Sequence, residues 1–474
     1  MMPSQTHNIL KDLNILKKYD VYAYDYIEYP HKSFWSYDLT DKDFRESLRT
    51  IFKENPDRGL TVYLHIPFCN ELCSFCLCHR QITKHYAPVK HYLENALFLE
   101  IDLYCQFFEE LGIQPQVKQI YLGGGSPTIV NQEDFDRLLG RLNTMTNLAN
   151  LDQFHMEIDP RRVDEEQLKF YHSRGVRTLS FGIQDFDPDV QEAVNRIQPF
   201  ACVEALLTET IRTCFTSINF DILIGLPRQS VKSLRETVEK VVSLKPDRIS
   251  LTYLFYTPRF HPHQMHMHRH GLLPDFYDRK KLFVTALTAL QENGYIRTGF
   301  EHFAKPDDRV AVALQKGLAS YNSFGATTGE YHDILGLGRA SYSTLGNNHY
   351  FQWVYEQNQY EEALQAGQFP VLRGHVLSED DVLRRDIIKT LRTYFSLDIH
   401  SFQQKYGLNF FEYFAKEHYD LDEFVRDQLI EVTPERISMT ETGKHFANLV
   451  CSIFDNYVVR PRFNPEIQTR CLNG

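Results

Sequence analysis

The chain has 474 residues, 43% hydrophobic and 24% charged, with 51 Lys and Arg against 62 Asp and Glu. This composition excludes wholesale disorder, collagen-like repeats and low-complexity architecture, and the net charge of −11 argues against a nucleic-acid partner, whose binding rests on neutralised phosphates. No apolar run approaches the ~18 residues of a membrane span, and residues 1–20 mix Lys and Asp without the apolar core of a secretory signal, so the expected compartment is the cytoplasm, where thiols stay reduced.

Residues 1–58, rich in Tyr, Asp and Lys, read as an irregular N-terminal arm with a helix near 43–54. From residue 61, β-rich runs recur at 61–66, 119–122, 155–158, 178–183, 218–224, 248–255 and 295–300. Helix-period segments at 89–110, 133–148, 165–174 and 231–244 lie between them. Strands alternating with helices of this length predict parallel βα units. The expected fold is therefore α/β: an incomplete (β/α)6-type barrel with additional strands over residues 59–375, its chemistry at the C-terminal ends of the strands.

Residues 376–474 read as a mostly helical C-terminal cap domain. Ser378 is a helix N-cap followed by Glu379, Asp380 and Asp381 in the first turn. Thr433-Pro434-Glu435 marks a hairpin between 429–432 and 436–439, and a helix is expected from 441. Helices with a small hairpin fit a winged helix, but this segment holds 12 Lys and Arg against 16 Asp and Glu, which favours a structural cap over a nucleic-acid reader.

The chemistry concentrates in one loop. Of nine cysteines, Cys69, Cys73, Cys76 and Cys78 fall within ten residues directly after the first strand. Three thiolates in a C-x₃-C-x₂-C spacing can hold three irons of a [4Fe–4S] cluster and leave the fourth iron open. Structural zinc would instead use paired knuckles from two segments, and no second pair exists. Cys78 is expected beside the cluster as an accessory thiol without ligating it. Cys105, Cys202, Cys214, Cys451 and Cys471 are scattered and read as inert thiols.

The run Tyr63-Leu64-His65-Ile66-Pro67-Phe68-Cys69, continuing to Cys78, resembles the start of radical S-adenosylmethionine (SAM) enzymes. The C-x₃-C-x₂-C-x-C form resembles, more narrowly, the oxygen-independent coproporphyrinogen III oxidases and their close paralogues. Gly123-Gly124-Gly125-Ser126-Pro127-Thr128, Glu157-Ile158-Asp159-Pro160, Gly182-Ile183-Gln184-Asp185-Phe186 and Arg384-Arg385-Asp386 follow in the family's order. The resemblance implies a [4Fe–4S] cluster on Cys69, Cys73 and Cys76, with one or two molecules of SAM as cofactor. It implies SAM contacts at Tyr63, Phe75, Gly124, Gly125, Ser126 and Glu157, and contacts to a second SAM at Gln184, Arg196, Asp221 and Phe255. It also implies a small-molecule tetrapyrrole substrate, a reducing electron-donor protein and a monomeric enzyme. Glycines there would let a ligand approach the backbone and its N–H groups.

Three places depart from the family's pattern. The arm reads Tyr22-Ala23-Tyr24-Asp25-Tyr26-Ile27-Glu28-Tyr29-Pro30, with no Arg and two acids. Phe255 replaces a small residue, and Gly329 in Thr327-Thr328-Gly329 replaces a Gln. All three lie on the substrate or second-SAM side, so three functions stay open. They are oxidative decarboxylation of coproporphyrinogen III to protoporphyrinogen IX, a paralogous C-methyltransferase or cyclopropanase using two SAM, and a haem chaperone. Five His between 261 and 270 suggest a loop at the substrate mouth, where cationic groups could meet carboxylates, or a metal site.

Overall fold

The computed structural model describes residues 13–20 and 26–458, apart from 272 and 347. Its centre is a twelve-stranded sheet of β1 (Gly59–Ile66), β2 (Gln116–Gly124), β3 (Gln153–Ile158), β4 (Thr178–Gln184), β5 (Ser217–Ile224), β6 (Arg248–Tyr253), β7 (Ile296–Arg297), β8 (His302–Ala304), β9 (Asp333–Leu337), β10 (Tyr342–Leu345), β11 (His349–Trp353) and β12 (Val371–Val376). Across the sheet the order is β12-β11-β10-β9-β1-β2-β3-β4-β5-β6-β8-β7. All neighbours from β9 to β6 are parallel, and both flanks are antiparallel. The sheet stays open, so the architecture is the incomplete barrel expected.

Side-chain alternation along each strand sorts apolar from polar residues. Leu60, Val62, Leu64 and Ile66 of β1 join the main core. It is completed by helices such as α1 (Asp41–Glu54), α2 (Phe98–Leu111), α3 (Gln132–Met145) and α4 (Val231–Ser243), the last through Leu234, Val238 and Val241 at helical spacing. The other face of the strands carries Thr61, Tyr63, His65, Tyr121, Glu157, Ser180 and Asp221. The lumen is therefore polar, with a cavity of about 120 Å³ bounded by Gln119, His155, Asn219 and Ser250 among others.

Four sequence expectations need correction. In the run at 295–300 only β7, Ile296–Arg297, is strand; Gly299 takes positive φ and breaks the run, and the antiparallel partner β8 lies beyond it. The helix at 89–110 is interrupted by a π turn over Leu93–Leu97. The strand at 248–255 ends at Tyr253. In place of a helix from 441, a 3-10 turn over Gly443–Phe446 leads into a short helix, Ala447–Cys451. Gly443 is pressed so closely on the hairpin that an added Cβ would lie 1.8 Å from the Leu429 carbonyl oxygen.

The C-terminal part opens on α5 (Glu379–Tyr394), with the Ser378 side chain accepting from the Asp381 N–H. Strands β13 (Ser396–Asp398), β14 (Ile430–Val432) and β15 (Arg436–Met439) form a separate sheet in the order β13-β15-β14. Helices pack with this small three-stranded sheet. Their apolar core includes Ile387, Leu391, Phe414 and Phe454, and equally Tyr19, Tyr26 and Tyr29 of the arm. Tyr22 to Asp25 and Cys471 lie outside the described residues. No helix among the described residues is long and apolar enough to cross a membrane.

Candidate active site

The cysteine loop is tied shut beyond the end of β1. Phe68–Cys69 pairs in parallel with Gln81–Ile82, Thr83 N–H donates to the Cys69 carbonyl at 2.9 Å, and Ser74 N–H donates to the Val194 carbonyl at 2.9 Å. Cys73 is buried, Cys69 and Cys76 are half-buried, and Cys78 is exposed. Burial, with the Cys76 and Cys73 thiols close by, pushes the Cys69 thiol up to about 12. A hydrogen bond from Cys78 holds the Cys76 thiol down and raises that of Cys78.

Two guanidinium groups face Cys73 Sγ: Arg196 Nη1 at 3.5 Å and Arg161 Nη2 at 3.9 Å. Asp159 anchors both, at 3.6 Å and 2.7 Å. Three soft thiol donors crowded on one loop disfavour one another as thiolates unless cationic groups share the space. This donor set with its flanking guanidinium groups fits a [4Fe–4S] cluster.

The glycine run sits beside the loop at the end of β2. The N–H groups of Gly125 and Ser126 donate to the carbonyls of Ile66 (2.9 Å) and Phe68 (2.7 Å), and that of Gly124 donates to Glu157 Oε2 at 3.1 Å. These donors are thus engaged within the protein. What requires glycine is closeness: an added Cβ would lie 2.5 Å from the Phe68 oxygen at Gly125, 2.8 Å from the His65 ring at Gly124, and 2.7 Å from the Glu157 carboxylate at Gly123.

Glu157 lies near the end of β3 and also accepts from Tyr121 Oη at 3.2 Å. Burial and the nearby Asp221 push it up to about 7. Tyr63 Oη lies 2.8 Å from His65 Nδ1, and His65 Nε2 lies 2.9 Å from the His79 carbonyl. Burial lowers His65 to about 4. The imidazole is therefore neutral, accepting at Nδ1 from Tyr63 and donating at Nε2.

The second predicted set straddles β4 and β5. Gln184 adopts φ +67° beside Arg196, which donates to the Gly182 carbonyl at 2.6 Å. Asp221 pairs in register with Gly182, a turn of strand below the mouth, and accepts from Asn219 (2.7 Å) and Ser180 (2.9 Å). Phe75 packs in a small apolar cluster with Val190, Val194, Leu254 and Met267. Phe255 lies just past β6, its carbonyl accepting from Gln264 Nε2 at 2.9 Å. The structure thus brings Arg196 to the cysteine loop and leaves Asp221 in the lumen.

The His-rich loop folds against the cysteine loop. His263 Nε2 lies 2.8 Å from the Cys76 carbonyl, and Gln264 Nε2 donates to the Phe75 carbonyl at 3.3 Å. Among the described residues no group of His, Cys, Asp and Glu is arranged as a closed metal site. At Gly329 the backbone has φ +76°, and an added Cβ would lie 2.0 Å from the Leu318 oxygen. A glutamine does not fit there without movement.

Sequence reading gave no role to His65, Tyr121, Asp159 and Arg161. His65 and Asp159 stand inside quoted motifs, the latter at the turn just past β3, and a period-2 reading of β1 and β2 aims His65 and Tyr121 into the lumen beside Tyr63 and Glu157. Arg161 carried no signal, because its approach to Cys73 depends on the turn after β3.

Comparison with known proteins completes the description. Residues 63–241 match the radical SAM superfamily model, and residues 377–446 match that of the HemN C-terminal domain. The chain is 33% identical over 447 residues to the oxygen-independent coproporphyrinogen III oxidase of Salmonella typhimurium, covering 94% of this chain and 95% of that protein. It is 34% identical over 454 residues to the Synechocystis enzyme of the same name, covering 94% of each. The solved structure of coproporphyrinogen III oxidase from Escherichia coli, described as a radical SAM enzyme, superposes with a TM-score of 0.85 at 32% identity, covering 94% of this chain and 99% of that one. With its thiol loop, glycine run and polar lumen in one open barrel, the chain belongs to the oxygen-independent coproporphyrinogen III oxidase family of radical SAM enzymes.

Proposed function

We propose that this chain converts coproporphyrinogen III to protoporphyrinogen IX without oxygen: each of two propionate side chains loses a hydrogen atom, carbon dioxide and one electron, the electron passing to an acceptor, and becomes a vinyl group. The observation that carries the reading is the meeting of Cys69, Cys73 and Cys76 with Arg161, Arg196 and Glu157 at the strand ends, in a chain matching relatives so named over 94% of its length. The [4Fe–4S] cluster and SAM supply, when bound, one-electron reduction and hydrogen abstraction from carbon.

The protein's own part is to hold and shield. Cys69, Cys73 and Cys76 hold the cluster, and Arg196 and Arg161 offset the negative charge that collects at Cys73. Glu157, poised near neutrality, accepts from an ammonium or ribose hydroxyl beside Gly124, Gly125 and Ser126. Tyr63 is held by His65, and Phe75 closes the apolar side. Gln184, Arg196, Asp221 and Phe255 are assigned to a second SAM. The enzyme works as a monomer in the cytoplasm with a protein electron donor.

The test is anaerobic turnover of reconstituted protein with SAM, dithionite and coproporphyrinogen III, read by mass. Loss of two carboxyl groups is the expected outcome. SAM cleavage without loss of carbon dioxide overturns the reading, and a gain of methylene mass on another acceptor favours the methyltransferase or cyclopropanase class.

A further inference from the structure

The mouth holds a second cluster of basic side chains, three guanidinium groups and one imidazole, on the antiparallel flank beyond β1. His79 and Arg80 follow the cysteine loop, Arg339 follows β9, and Arg373 stands on β12. Register places Arg373 opposite Gln352 and Gln352 opposite Tyr342, and the Tyr342 ring lies 5.6 Å from that of Tyr63. Arg373 therefore shares the lumen face with Tyr63.

These groups form one patch. Arg339 Nη2 donates to Gln81 Oε1 at 3.1 Å. The His79 ring lies 5.4 Å from that of Tyr355, whose hydroxyl accepts from Arg373 Nη2 at 3.0 Å. Arg80 Nη1 donates to the Cys78 carbonyl at 2.7 Å, next to the exposed thiol.

No carboxylate pairs directly with the patch, and Glu356 and Glu361 act on Arg339 only from a distance. Arg161, Arg196 and Arg248 elsewhere in the barrel each have an Asp within 4.0 Å. Among the described residues no carboxylate comes within that distance of Arg80, Arg339 or Arg373. Glu361 is itself engaged by His91 and Gln357. Arg339 is only 5% exposed, yet its Nε, like Arg80 Nε and His79 Nε2, is buried without a hydrogen-bond partner. Leaving such donors buried and unsatisfied is costly, and a guanidinium is shaped to receive a carboxylate in a two-pronged contact.

We propose that His79, Arg80, Arg339 and Arg373 form a carboxylate-binding site that seats acidic side chains of the substrate on this flank of the mouth. The proposal rests on the tetrapyrrole reading for the identity of that substrate. It replaces two sequence expectations: carboxylates are met neither by an arm Arg, which this chain lacks, nor by His263 of the 261–270 loop, whose Nε2 lies 2.8 Å from both the Cys76 carbonyl and Arg80 Nη2.

The test compares wild type with Arg339→Gln, Arg339→Lys and Arg373→Gln as reconstituted full-length enzymes, folding being checked by circular dichroism. Binding of coproporphyrin III and of its tetramethyl ester is followed by the Soret shift, and KM is measured separately from kcat. Expected is at least tenfold weaker binding of the tetra-acid and a tenfold higher KM in both Gln variants, partial rescue in Arg339→Lys, and no change for the ester. Wild-type affinity for the tetra-acid in both Gln variants overturns the site and leaves the functional reading standing. Should wild type neither bind nor decarboxylate the tetrapyrrole, that reading falls, and calorimetry with glutarate decides the site. Glutarate binding that is lost in Arg339→Gln keeps it, and no binding to wild type overturns it.

Discussion

The carboxylate of Glu100 accepts the backbone N–H of Gly338 at 2.7 Å across 238 positions of sequence. It also accepts from Trp353 Nε1 and from the Tyr360 hydroxyl, and it is fully buried. Gly338 has φ +95°, and an added Cβ would lie 2.4 Å from the His65 oxygen. The turn is thus clamped between β1 and α2, and the clamp delivers the next residue, Arg339, to the mouth.

Burial pushes Glu100 up to about 7. Replacing it by Gln removes one acceptor from three buried donors and should destabilise the fold by ~1–3 kcal/mol. The wild-type carboxyl has an unfolded value of ~4.3. Its raised folded value means that its contribution is complete below that pH and is lost as pH rises through about 7, by up to ~3 kcal/mol. The deficit of Glu100→Gln should therefore narrow between pH 5.5 and 8 in urea titrations. A deficit that widens means Glu100 folds ionised.

Cys69→Ala, Cys73→Ala and Cys76→Ala should each abolish 5′-deoxyadenosine release. Cys78→Ala should retain about four irons and four sulfides and still cleave SAM, although product formation can fall. Complete cluster loss in that variant, with an intact circular dichroism spectrum, would show four protein ligands instead of three.

Arg196→Gln removes a buried cation 3.5 Å from Cys73 Sγ. Less positive charge beside the cluster makes its reduction harder. Titration with a set of reductants of graded potential should show the electron paramagnetic resonance signal of the reduced cluster emerging only at more negative potential, and SAM cleavage should fall at least tenfold. An unshifted titration would place Arg196 in a packing role.

Gly329→Gln restores the family's residue and should still damage the protein. Its positive φ and the 2.0 Å approach to Leu318 should cost ~1–3 kcal/mol, seen as a lower melting temperature. A variant that melts with wild type would show a segment free to rearrange.

The parallel core was readable because βα periodicity is local: β1 to β6 were each located from their own apolar alternation. The strands β9 to β12 were not delimited, since Gly336, Gly338 and Gly346 interrupt the apolar pattern there and the pairing is long-range. The thiol loop was legible from spacing alone. Arg161 and the Arg339–Arg373 patch were not, because both depend on where turns aim long side chains. The glycine run was located correctly, but its physical reason differs: its N–H groups serve the neighbouring backbone and Glu157, and closeness is what excludes a Cβ.

Tyr26 of the arm donates to Asp455 across 429 positions, and the same arm lays Lys32 over the Tyr342 ring at 4.2 Å and stacks Trp35 on Tyr350. A chain made from its N-terminus completes the twelve-stranded sheet and its cysteine loop before the partner of its own early tyrosines exists. At ~5–20 residues per second the final stretch of about 80 residues takes roughly 4–16 s to synthesise. During that interval the arm is held only by its contacts to Tyr342 and Tyr350 on β10 and β11, and its seat on Asp455 forms last.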